Sequence, residues 1–308
     1  MYKRQGTDSA RNVVAEQFDV IEAGERGRRR WTGLLVVLAL LLIPVIGLLV
    51  SRDPEPEAEP PAATATPEPI RSLTRLDNAP NIVNPPAVRK QGDEVIQVVF
   101  PHGVRAEVRY PADLDLDDMG SRPFHGAWVE GRFRQFVAPY GGQLEVTRGG
   151  QPIRNYASNV TLWPRQAGSG FYGQVLLFEF GPWRLAMYDR GEGLTFDQRL
   201  SLARNLRGRV TKDGFLVLSA RRDIRLTRPG EQVQGHPVGP QLWFGGGAGQ
   251  MVALVPTPDC ADNRALPDVI EGRGRPSETV CRGDMLIAVT GSTEFRKQAI
   301  EGIRVTVK

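Results

Sequence analysis

The feature that most constrains this chain is an uninterrupted apolar run close to its N-terminus. No residue from Trp31 to Ser51 carries a charge, and Trp31–Val50 reads Trp-Thr-Gly-Leu-Leu-Val-Val-Leu-Ala-Leu-Leu-Leu-Ile-Pro-Val-Ile-Gly-Leu-Leu-Val. Twenty helical residues rise about 30 Å, the thickness of a bilayer core. A helix in a globular core keeps a polar face, and this run has none. The expectation is a transmembrane helix over residues 31–51, with Trp31 at the interface. Pro44 and Gly47 are tolerated in such helices. Arg26, Arg28, Arg29 and Arg30 precede the run, whereas Arg52, Asp53, Glu55, Glu57 and Glu59 come after it. That bias keeps the N-terminus in the cytoplasm and sends the rest of the chain outside. The run is longer than the apolar part of a signal peptide and has no small-residue cleavage site directly after it, so it reads as an uncleaved anchor.

This segment divides the chain into four zones. Residues 1–30 read as a cytoplasmic stub, in which Ala10, Val13, Val14, Phe18 and Ile21 fall near helical spacing. Its opening Met-Tyr-Lys-Arg-Gln resembles a translated sequencing adapter, so residues 1–5 are expected to be an artefact. Residues 52–93 read as a stalk and lead-in. Pro54, Pro56, Pro60, Pro61, Pro67 and Pro69 favour polyproline geometry. Seventeen such residues, 53–69, reach roughly 50 Å and hold the C-terminal part of the chain away from the bilayer. Residues 94–308 have ordinary globular composition and form the expected extracytoplasmic domain, large enough to bury a core without a metal. Only five of the 39 basic residues are lysine, and the 34 glycines and 24 prolines point the same way, to a GC-rich bacterial genome.

Within 94–308 the pattern predicts an α+β fold, mostly antiparallel strands with about two short helices. Glu94–Phe100 and Val104–Tyr110 flank a Pro-His-Gly turn and read as a hairpin. Further strands are expected at Val160–Trp163, Gln174–Phe180, Trp183–Tyr188, Phe215–Ser219, Gln241–Phe244, Met251–Val255, Met285–Thr290 and Ile303–Val307. Thr195 is a plausible cap for a helix over Phe196–Arg207, and Ser292 or Thr293 for one through Ile300. These elements recur in order. Leu162-Trp163, Gly173-Gln174, Leu185-Ala186, a helix and Arg209-Val210-Thr211 are echoed by Leu242-Trp243, Gly249-Gln250, Leu286-Ile287-Ala288, a helix and Arg304-Val305-Thr306. Two similar halves are therefore an expectation.

The chemistry-bearing residues are sparse. Cys260 and Cys281 both lie beyond the apolar run, and outside the cytoplasm such a pair reads as a disulfide. The sequence around Cys260 lacks the pattern of a transpeptidase thiol. Asp113, Asp115 and Asp117 are the candidate metal ligands, but a calcium loop of the EF-hand kind wants Gly at 118 and Glu at 124, where the chain has Asp118 and Phe124. His102, His125 and His236 lack metal-ligand spacing; His125, beside Phe124 and Trp128, is the candidate catalytic residue. Gly245–Gly249 is not succeeded by the Lys-Ser/Thr of a phosphate loop, and no cofactor motif is present. The densest constellation is basic: Arg199, Arg204, Arg207, Arg209, Lys212, Arg221, Arg222, Arg225 and Arg228, against Asp213 and Asp223. Converging on one face, these would attract an envelope polyanion. Without interleaved stacking aromatics they do not suit single-stranded nucleic acid.

Together these readings give a single-pass cell-envelope protein that presents a non-enzymatic binding, sensing or scaffold domain on a stalk, its partner an envelope polymer or protein. The alternatives are an anchored hydrolase using His125 with nearby carboxylates, and polyanion binding through Arg199–Arg228.

Overall fold

The computed structural model describes residues 81–165, 172–246, 249–262 and 265–308. The stub, the apolar run 31–51 and the stalk up to residue 80 lie outside the described residues. Among the described residues no helix is long and apolar enough to cross a membrane.

The domain begins with β1 (Val88–Lys90), β2 (Asp93–Val99) and β3 (Arg105–Pro111), then α1 (Leu116–Met119). A hairpin of β4 (Ser121–Val129) and β5 (Arg132–Val137) leads to α2 (Gly142–Thr147). Then come β6 (Arg154–Ala157), β7 (Val160–Trp163), β8 (Tyr172–Phe180), β9 (Trp183–Arg190) and α3 (Phe196–Asn205). The ribbon β10 (Leu206–Val210) and β11 (Leu216–Ala220) precedes β12 (Ile224–Leu226) and the small hairpin β13 (Gln232–Val233) and β14 (His236–Pro237). The chain ends with β15 (Gln241–Gly245), β16 (Met251–Pro256), α4 (Asp268–Glu271), β17 (Ser277–Arg282), β18 (Met285–Thr290), α5 (Thr293–Gly302) and β19 (Arg304–Val307).

The expectation of a mostly antiparallel sheet domain holds. Every strand pair among the described residues is antiparallel. One large sheet runs β17-β18-β16-β15-β4-β5-β9-β8-β7-β6, with β12 joined to the far end of β4. A second sheet runs β1-β2-β3-β19. Among the described residues five helices are present where about two were expected. The additional three have four or six residues, too short to show a 3.6-residue period. Residues 81–93, read as lead-in, are integral to the domain. The Asn81 side-chain amide donates to the carbonyl of Pro139 at 3.0 Å and accepts from the Arg184 backbone N–H at 3.0 Å, and β1 pairs with β2.

The large sheet has two unequal faces, and side-chain alternation shows it. Val252 and Leu254 of β16, Met285, Ile287 and Val289 of β18, and Phe295 and Ala299 of α5 form one cluster with the inner face of β2 and β3. Leu176 and Phe178 of β8, Leu185 and Met187 of β9 and Leu202 of α3 form another. The intervening residues point to the opposite face. There Met251, Ala253 and Leu286 pack with Cys260 and Ile270, while Val175, Leu177 and Ala186 pack with Val146 of α2. This face is thus covered by two separate patches.

The repeated motifs have a topological counterpart. β9-β8-β7 and β18-β16-β15 run in the same sense along the sheet. Each antiparallel meander leads into a ten-residue helix with a hydroxyl cap, Thr195 in one and Ser292 in the other. The shared Arg-Val-Thr does not mark equivalent positions. Counted from the caps it is two residues out of step, and Leu206-Arg207 corresponds to Ile303-Arg304. The excursion through the disulfide loop, α4 and β17 between β16 and β18 is peculiar to the second meander.

Candidate functional site

Between the two patches lies a cleft of about 700 Å³. Its floor is the middle of the large sheet: Arg122 and Phe124 of β4, Phe133, Gln135 and Val137 of β5, Tyr188 of β9 and Trp243 of β15. Glu145 and Arg148 approach from α2, Asp268 and Val269 from α4, and Gln234, His236 and Val238 from the β13–β14 hairpin.

The hairpin is pinned over β4 by a close backbone approach. The Gly126 N–H donates to the Val238 carbonyl at 3.0 Å, and the Thr227 hydroxyl donates to the carbonyls of Val238 at 2.6 Å and Gly126 at 2.9 Å. A Cβ on Gly126 would stand 2.6 Å from the Val238 oxygen. Only glycine permits that approach. The hairpin turns through Gln234 and Gly235, both at positive φ, as a two-residue turn of this kind requires.

Arg122 is the most constrained polar group of the floor. Its cross-strand neighbour is Trp243, and its guanidinium carbon lies 5.5 Å from the Trp243 ring centre and 5.8 Å from that of Tyr140. Such placement over aromatic faces favours a guanidinium. Nη1 donates to the Ala138 carbonyl at 3.0 Å and Nε, at 3.4 Å, reaches the Gly245 carbonyl. The residue is 7% exposed, and burial pushes its guanidinium pKa down to about 10. Glu145 is the acid that favours its charged form, yet among the described residues Arg122 makes no ion pair. The Glu145 carboxylate is held by the Gly141 N–H at 2.8 Å. Behind Arg122 the wall is aromatic: Phe124 and Trp243 stack with ring centres 4.8 Å apart, and the Trp243 indole N–H donates to Gln241 at 2.8 Å.

At the other end, Nδ1 of His236 lies 3.0 Å from Asp268 and 3.4 Å from Glu271. The side-chain amide of Gln135 donates to Asp268 at 3.3 Å. This His–carboxylate pair fixes one ring nitrogen of His236 within the cleft lining.

The residues singled out in the sequence lie elsewhere. His125, on the alternate face of β4 from Arg122 and Phe124, is 1% exposed and does not line the cleft. Its Nε2 donates to the Thr227 carbonyl at 3.0 Å, and its Nδ1 is buried with no partner. Burial drives its pKa down to about 4. Asp117 accepts from the Tyr110 hydroxyl at 3.1 Å, Asp115 sits at positive φ between two helical turns, and Asp113 lies in the first of these turns. Among the described residues no three His, Cys, Asp or Glu side chains gather as metal ligands. Cys260 and Cys281 form a disulfide, with Cα atoms 5.7 Å apart. It ties the loop that carries α4, and so the Asp268 wall of the cleft, to β17.

The basic constellation divides. Arg199 turns inward and joins Arg134 on the carboxylate of Asp189, at 2.7 and 3.0 Å, where Asp189 also accepts from the Leu194 N–H. Arg225 pairs with Glu231 at 2.7 Å, which holds that carboxyl down at about 2. Arg204, Arg207, Arg209, Lys212, Arg221, Arg222 and Arg228 are exposed. Arg207 and Arg209 are two residues apart on β10 and share one face of the ribbon.

Compared with models of known protein families, with curated proteins and with solved structures, the chain finds no match. The cleft therefore rests on its own geometry. Sequence reasoning passed over Arg122 and Trp243, because an isolated arginine in a Pro-containing stretch carries no motif. The one available signal was the stretch Arg122–Val129, in which Phe124, Trp128 and Val129 accompany a charge that a strand would have to bury.

Proposed function

We propose that this chain is a single-pass cell-envelope protein whose extracytoplasmic domain is a non-enzymatic binding module. Residues 31–51 anchor it, the proline-rich stretch holds the domain away from the bilayer, and the cleft over β4, β5 and β15 takes the ligand. One observation carries the binding reading. A concave site of about 700 Å³ on a largely covered sheet combines aromatic walls with a small number of fixed polar groups, the usual make-up of small-ligand sites. The uncharged run and its flanking arginines support the anchor, and the cysteine pair suits an oxidising exterior. We further propose that the two meanders arose by duplication, as their common order along the sheet and their hydroxyl-capped helices favour.

The full chain, expressed with a C-terminal tag, tests both parts. It is expected in the membrane fraction after alkaline extraction, with the tag digested when protease is added outside intact spheroplasts. Extraction into the supernatant, or a protected tag, overturns the location. In detergent micelles, a screen of small neutral and charged organic compounds is expected to raise the thermal midpoint with a subset of them, and Trp243→Ala to abolish the shift. A midpoint that no compound moves overturns the cleft as a binding site.

A further inference from the structure

Arg122 sets the cleft apart from an ordinary apolar pocket. It sits at a buried strand position, where a positive charge costs several kcal/mol unless it is compensated. The contrast with Arg134 is direct. Arg134 is also largely buried, and it pairs with the carboxylate of Asp189 at 3.0 Å. Arg122 spends Nε and Nη1 on two carbonyl oxygens, which orient the guanidinium but do not neutralise it. Its Nη2 makes no hydrogen bond among the described residues. That nitrogen lies against Gly246, where a Cβ would come within 2.8 Å of it, so a side chain at 246 would crowd the guanidinium edge.

Glu145 faces the same space. Its carboxylate acts on Arg122 across the cleft without reaching ion-pair distance, being held on the Gly141 N–H. A buried, oriented cation that has, among the described residues, no hydrogen bond to Nη2 and no counter-anion in contact is the arrangement that a bound oxyanion completes. The neighbouring walls are apolar, from Phe124, Trp243 and Val137. They suit the remainder of a molecule whose head sits on Arg122.

We infer that the cleft binds an organic oxyanion, its carboxylate or phosphate head on Nη2 of Arg122 and its apolar body along the Phe124–Trp243 wall. This inference rests on the reading of the cleft as a ligand site. It adds the sign of the ligand's charge and the residue that reads it.

Three probes of similar shape test it by titration calorimetry on the full chain in detergent: phenylacetate, phenyl phosphate and neutral phenylacetamide. At least one anion binds ten-fold or more tightly than the amide, and the tighter of the two identifies the head group. Arg122→Met removes that preference, so that the anion and the amide bind within about two-fold of each other. Because Arg122 also braces Ala138 and Gly245, the outcome is checked with a substitution outside that brace. Glu145→Gln withdraws a negative charge from the cleft and tightens the favoured anion, widening its preference over the amide several-fold. Saturable binding of all three probes with equal affinity, or Glu145→Gln without effect on the anion, overturns the inference and leaves the cleft a binding site. Failure of all three to bind at millimolar concentration overturns both.

Discussion

At the scale of single residues, this fold fixes the charge of its buried side chains through their partners. Asp189, 1% exposed, accepts from two guanidiniums and a backbone N–H. His125 is the opposite case. Thr227 accepts from its Nε2, which leaves Nδ1 as a buried lone pair, and no carboxylate contacts the ring. The imidazole is therefore neutral in the fold, with its pKa at about 4. An unfolded histidine protonates near 6.5. Since the folded state resists the proton, stability is complete above pH 6.5 and falls as the pH drops towards 4, by roughly 3 kcal/mol in all. Urea midpoints measured from pH 7.5 to 4.5 are expected to show this decline, and His125→Gln to flatten it. Glu231, held at about 2 by Arg225, adds its own loss only below pH 4.5, so the two windows separate. His125 was legible in the sequence as an unusual residue. Its environment was not, because alternation on β4 decides whether a side chain meets the cleft or the core, and β4 itself was missed.

The reason β4 was missed belongs to the scale of elements. Ser121–Val129 contains a proline, a glycine, an arginine and a histidine, and proline within a run argues against a central strand. Here Pro123 stands just before the ladder to β5 begins, at Phe124, and Gly126 admits the β13–β14 hairpin. Both departures from strand composition therefore have a structural cause. By contrast, β7, β18 and the two long helices match their sequence signals closely, since period, capping and turn chemistry all agree there. Thr195 accepts from the Gln198 N–H, and Gln198 reciprocates on the Thr195 N–H, a complete capping box. Ser292 accepts from the Phe295 N–H at 3.2 Å and from the Gln250 side-chain amide at 3.5 Å, without the reciprocal half of a capping box. Each hydroxyl satisfies one otherwise unpaired helix donor. Thr195→Ala and Ser292→Ala are each expected to lower the unfolding free energy by about 1 kcal/mol. Chemical denaturation reads the loss, and Thr195→Ser restores most of it.

At the scale of the whole molecule, the closing strand lies far in sequence from the strand it completes. β19 is the last element of the chain, yet it pairs with β3, and Lys308 donates its backbone N–H to Arg105 at 2.9 Å. Ile303 and Phe295 bring α5 into the same core as Ile96 and Val108. Deleting residues 304–308 is expected to destabilise the domain by roughly 2–3 kcal/mol and to open β3 to proteolysis, which limited digestion and mass spectrometry read directly. Under the proposed anchoring, this pairing sets a timetable. A chain held at its N-terminal end and threaded outward unfolded would not complete its smaller sheet until residues 304–308 had emerged. Contacts so distant in sequence form slowly, so a domain translocated in this way would wait with Val98 and Val108 uncovered. Under that same proposal, the proline-rich stretch has a second use during biogenesis: it would keep the unfinished surface from settling onto the lipid.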